Sequence, residues 1–192
     1  MSPPSISTSP SLVQRVRQRD EDAWCRLVGI YTPLIYHWVR RVVNSHADAA
    51  DVVQEVLTVL SVRIDEYDAK KGSGFRGWLW GITQNKLAQL RRKVARSPRT
   101  MTDSQGGMVI AEIPESPPAS PREELILVAR RAAELAKKDF EPNTFNAFWM
   151  TTVDSRPPAD VADELGMNVT AVYKAKSRVL ARLRSELELH EP

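Results

Sequence analysis

Apolar positions recur at helical spacing along most of this chain, so helices are the elements its pattern predicts. Ala23, Trp24, Leu27, Val28 and Tyr31 share one face of a helix that Asp20 or Asp22 can cap. Thr32-Pro33 offers a cap and a first-turn proline for a second helix carrying Leu34, Ile35, Trp38 and Val42. A third starts near Ser45 and bears Val52, Val53, Val56, Leu57, Leu60 and Ile64. Its β-branched residues would also suit a strand, but spacing and length favour a helix. Residues 68–74 read as a loop. A fourth helix begins near Phe75, with Phe75, Trp78, Leu79 and Ile82 on a packing face. Trp80 projects to the other face, beside Arg76, Gln84 and Arg91, where it meets either a ligand or a neighbouring helix.

The second half repeats the helical pattern. Phe145, Phe148, Trp149 and Thr152 form a core stripe. Then comes Ala159-Asp160-Val161-Ala162-Asp163-Glu164-Leu165-Gly166-Met167-Asn168-Val169-Thr170, the spacing of a helix-turn-helix. Small Ala162 permits close approach, Gly166 makes the turn, and Asn168 caps the next helix. Val161, Leu165, Met167, Val172 and Ala175 fill the shared core. The expected fold is all-α: two small helical domains, 12–96 and 122–188. A disordered start (1–11) precedes them, and a flexible proline-rich linker (97–121) with Gly106-Gly107 joins them.

Charge sharpens this picture. The net charge is only +3, but residues 1–96 hold 15 basic against 9 acidic side chains. Between Asp68 and Asp103 there are nine lysines and arginines and no acid. Cations beside aromatic rings on one helix suit unpaired nucleic acid, whose backbone follows charge and whose bases stack. A second acid-free stretch, Leu165–Ser185, carries five bases and includes the second helix of the helix-turn-helix. Such a helix enters a major groove with its N-terminal residues at base edges. Thr170, Ala171, Tyr173, Lys174 and Ser177 are candidates for the groove; Lys176, Arg178 and Arg182 are candidates for phosphates.

Other classes fall away. No apolar run is long enough for a bilayer, and no signal peptide is visible, which makes the cytoplasm the expected location. Cys25 stands alone without metal-ligand company and reads as a small buried hydrophobe. His37, His46 and His190 are scattered, and Asp48, Asp51 and Glu55 have no histidine in register. There is no Gly-rich phosphate loop and no nucleophile–base pair. No enzyme, metal, cofactor or small-molecule substrate is expected.

Two helices directed at nucleic acid, one suited to single strands and one to duplex, resemble the extracytoplasmic-function (group four) sigma factors of bacterial RNA polymerase. Asp48-Ala49-Ala50-Asp51-Val52-Val53-Gln54-Glu55-Val56 is similar to the family's acidic-aliphatic-glutamine helix, and Phe75…Trp78-Leu79…Ile82…Asn85 to its melting helix. Val172–Arg184 is similar to its recognition helix. The resemblance implies that Asp51, Gln54 and Glu55 dock on core RNA polymerase. It implies a minus-ten, single-strand site of Lys70, Lys71, Arg76, Trp80, Gln84, Asn85, Gln89, Arg91 and Arg92, with the preceding loop capturing a flipped base. It also implies minus-thirty-five recognition by residues 170–182 and a linker threading toward the polymerase active site. The tail after Leu187 is short for a fused regulatory domain, so control is expected from a partner such as an anti-sigma protein, from synthesis or from modification.

Two places depart from the family pattern. Gln84 and Gln89 stand where arginine and aspartate are common, and residues 137–158 depart from the usual entry to the second domain, marking a divergent subgroup. The alternative expectation is a helix-turn-helix regulator that is not a polymerase subunit.

Overall fold

The computed structural model describes residues 11–68, 74–96, 110–118 and 120–187. Residues 1–10, 69–73 and 97–109 lie outside them, and with these the expected disordered start, most of the base-capturing loop and half of the linker. The described residues form eight α-helices and no named strand, so the all-α expectation holds. They group into two compact units, one within residues 24–128 and one combining residues up to 23 with those from 129 onward. The expected boundaries at 12–96 and 122–188 thus differ from this grouping.

In the unit of residues 24–128, α2 spans Glu21–Arg40, α3 His46–Arg63 and α4 Gly74–Arg96; α5, Pro121–Ala136, begins there. Ser45 caps α3 by accepting the Asp48 N–H at 3.2 Å. The expected break at Thr32-Pro33 does not occur: α2 runs through Pro33. A proline inside a helix forfeits one backbone bond and crowds the preceding turn. Burial on both sides offsets that cost, since Leu27, Ile30, Leu34, Ile35, Trp38 and Val39 are all fully buried. The expected α3 stripe is buried at Val52, Val53, Val56, Leu57 and Leu60, and α3 packs against α4.

The other unit holds α1 (Leu12–Arg17), α6 (Pro142–Thr152), α7 (Pro158–Leu165) and α8 (Val169–Leu187). α1 opens with a capping box between Ser11 and Gln14 and packs on α8. The Asp20 carboxylate ends this segment by accepting the Ala23 N–H at 3.0 Å and holding Arg15 at 2.7 Å. Those bonds, the Ala23 N–H first, keep its carboxyl below the usual range.

Ala147, Val161, Ala162, Val172 and Ala175 form one buried cluster, with Met150, Leu165 and Met167 against it. Gly166 sits at φ +61°, the left-handed region that glycine enters without a Cβ penalty, and closes α7. The Asn168 side chain accepts the Ala171 N–H at 2.7 Å and starts α8. The helix-turn-helix is therefore built on the residues that its spacing marked. No helix among the described residues is long and apolar enough to cross a membrane.

Candidate nucleic-acid and protein interfaces

α3 buries its valine and leucine stripe and turns Asp51, Gln54 and Glu55 outward, where all three are exposed. Glu55 reaches Lys86 of α4 at 3.2 Å. The three side chains candidate for protein docking share one open polar row, fixed by the packing beneath it.

α4 is more surprising. Phe75, Leu79 and Ile82 are buried as expected, but Trp78, expected in the packing face, is less buried than Trp80. Trp78 is only half-buried, edging Tyr67 and Phe75 at ring separations of 5.5 and 5.8 Å. Trp80, for which a ligand contact and packing were both open, is 3% exposed and so packs. Its ring meets Trp38 edge-on at 5.4 Å, and its indole N–H donates to the Glu115 carbonyl at 3.3 Å. A ring so enclosed offers no face to a base in this conformation. The helical wheel placed Trp80 correctly opposite Phe75, but a second packing surface covers that side.

Gln84 is engaged as well, its amide donating to the Pro114 and Glu115 carbonyls at 2.7 and 3.0 Å. Arg76 donates to the Pro121 carbonyl at 3.1 Å and lies 3.6 Å from the buried Glu124 carboxylate. Asn85, Gln89, Arg91 and Arg92 are exposed farther along the helix. Lys70 and Lys71 lie outside the described residues.

α8 presents the opposite condition. Val172, Ala175, Val179 and Leu183 face the core, which turns Thr170, Tyr173, Lys174, Ser177 and Arg178 to solvent. Tyr173 is 58% exposed. Ala171 and Lys176 are half-buried at the edges of this row. Arg182 is held: its guanidinium lies 2.7 Å from Glu186, which is almost fully buried, and 3.6 Å from Asp139. It is therefore committed to ion pairs where a free phosphate contact was expected.

Sequence reasoning missed Trp38, Arg41 and Glu124 as polar partners. The Trp38 indole donates to Glu124 at 2.7 Å and Arg41 to the Pro118 carbonyl at 3.0 Å. The only signal for them was Pro114, Pro117, Pro118 and Pro121, which lack N–H groups and so leave the segment richer in acceptors than in donors.

Comparison with known proteins falls on the first of these units. Residues 27–97 match the family model described as Sigma-70 region 2. Among curated proteins, the ECF RNA polymerase sigma factor SigW of Bacillus subtilis (strain 168) is 30% identical over 82 residues. That alignment covers 42% of this chain and 43% of SigW, so less than half the length of the relative is spanned. Most of α2 and all of α3 and α4 thus lie in a segment that matches sigma-70 region 2, and the chain is similar over part of its length to an extracytoplasmic-function sigma factor.

Proposed function

We propose that this chain is a promoter-specificity subunit that binds core RNA polymerase and directs DNA-dependent transcription initiation by recognising and melting promoter DNA. One observation carries the reading: a region 2 domain shares its chain with a helix-turn-helix whose second helix is open along Thr170, Tyr173, Lys174, Ser177 and Arg178. A regulator that merely binds duplex DNA has no use for the first of these.

In this role Asp51, Gln54 and Glu55 dock on the polymerase as an exposed polar row. The N-terminal turns of α8 enter the major groove of the upstream duplex, with Thr170, Ala171, Tyr173, Lys174 and Ser177 at base edges. Lys176 and Arg178 meet phosphates, which fix register without reading sequence. Arg76, Gln84, Asn85, Gln89, Arg91 and Arg92 of α4 hold the separated strand of the minus-ten element, together with Lys70 and Lys71 before it. The chain makes and breaks no covalent bond itself, works in the cytoplasm beside the polymerase, and is open to control by a sequestering anti-sigma protein.

Run-off transcription over a genomic promoter library, with core polymerase and with or without this chain, tests the proposal. Discrete start sites that depend on the chain are expected. Identical transcripts in both reactions would sink it.

A further inference from the structure

Residues 110–118 and 120–124 lie along the same face of α4 that the single strand requires. Ile110 pairs with Val43 in an antiparallel bridge, and the Ala111 N–H donates to the Val42 carbonyl at 2.9 Å. Beyond that anchor the segment presents carbonyls, and the domain answers with side-chain donors. Gln84 takes Pro114 and Glu115, Trp80 takes Glu115, Arg41 takes Pro118, and Arg76 takes Pro121. Glu124 closes the run, 4% exposed, accepting the Trp38 indole N–H at 2.7 Å with Arg76 at 3.6 Å.

Three physical features single this contact out. Its donors come from side chains and its acceptors are mostly backbone oxygens, so recognition depends on a run of acceptors rather than on particular side chains. A DNA strand is likewise a run of oxygen acceptors. The segment is also acidic, with Glu112, Glu115, Glu123 and Glu124 against one arginine, so it brings negative charge to the edge of an acid-free stretch. Finally, Pro114, Pro117 and Pro118 fix φ and lack N–H groups. Little further entropy is lost when they are held in place.

We propose that this face of α4 is a shared binding surface. Residues 110–118 and 120–124 occupy it in the free chain, and single-stranded DNA takes the same Arg76 and Gln84 donors by displacing them. The inference rests on the region 2 reading of α4. It makes strand binding conditional: the apparent affinity falls by the fraction of molecules in which the segment has lifted. Displacement also frees the Trp80 indole N–H for a new acceptor.

The test uses the full chain and two variants on the segment's side, Ala111→Pro, which deletes the anchoring N–H, and Glu124→Ala. A fluorescently labelled single-stranded oligonucleotide of promoter non-template sequence is titrated by anisotropy, and the Ala111 amide and Trp80 indole N–H are followed by NMR. The amide is expected to be protected in the free wild-type chain and to lose protection as oligonucleotide saturates it. Ala111→Pro is expected to bind about fivefold tighter or more, the factor by which a mostly occupied surface lowers affinity. Glu124→Ala should move the same way; if it fails to fold, Ala111→Pro decides alone. An Ala111 amide that stays protected in the DNA complex, or equal affinities for wild type and Ala111→Pro, would overturn the inference. So would absent binding by every folded form. Chain-dependent run-off transcripts alongside any of those results would leave the proposed function standing and remove only the shared surface.

Discussion

α4 and α8 carry the two acid-free, base-rich stretches of the chain, yet they present them differently. α8 has one buried face and one open face, and its Thr170, Tyr173, Lys174, Ser177 and Arg178 row is unobstructed. α4 is packed on both sides over its first turns: Phe75, Leu79 and Ile82 on one, Trp80 against Trp38 on the other. Only its later turns, from Asn85, keep an open charged surface. Charge pattern thus reports which helix can attract a polyanion. Whether the face is vacant depends on a segment far along the chain that brings its own acceptors.

The strongest way to break the contrast is to remove what supports the covered side of α4. Trp38 is fully buried beneath Trp80 and donates to the nearly buried Glu124. Trp38→Ala is expected to cost about 3–5 kcal/mol, through lost contact and the cavity left behind. Urea unfolding, followed by far-UV circular dichroism, measures it. A loss below about 1 kcal/mol would mean that this side collapses easily and that the covering is incidental.

A smaller effect separates open from committed cations within α8 itself. Arg178 is exposed, whereas Arg182 is tied to Glu186 and Asp139. Arg178→Ala is expected to lower the salt slope of duplex binding by about 1. Arg182→Ala should leave that slope nearly unchanged and instead reduce stability, because the buried Glu186 carboxylate loses its partner. Equal slope changes in binding titrations at several salt concentrations would show that Arg182 leaves its ion pairs for the phosphate.

The same contrast explains what the amino-acid sequence could reveal. The helix-turn-helix was legible down to Gly166 and the Asn168 cap, because its determinants are local: a turn, a cap and an i, i+3, i+4 stripe. The α3 stripe was legible for the same reason. Pro33 misled, because a local breaking signal was outweighed by fully buried residues on both sides of it. Trp80 stayed open between ligand and core for a different reason. Periodicity assigns a face, but what covers that face comes from residues 114–118 and 120–124, with no periodic signature of their own. Arg182 looked like a phosphate ligand until Asp139 was seen beside it.

The finest test compares how the two helices beside these surfaces begin. α5 starts with a capping box: the Ser120 N–H donates to the Glu123 carboxylate at 2.9 Å, and the Glu123 N–H to the Ser120 hydroxyl at 3.2 Å. The Ser120 N–H bond, then the Ser120 hydroxyl, hold the Glu123 carboxyl below its ordinary range, with Arg41 and His37 assisting. A carboxyl depressed in the folded state contributes stability above its unfolded pKa and loses it as pH falls through the folded one. α8 starts instead on the Asn168 amide, which does not titrate in this range. In an acid titration the Ser120 amide resonance should therefore shift as Glu123 protonates, while the Ala171 amide stays still. Glu123→Gln should keep the cap and abolish the Ser120 response. Parallel movement of both amides would show that acid loosens the whole chain, and that the box at residues 120–123 does not independently secure the segment lying on α4.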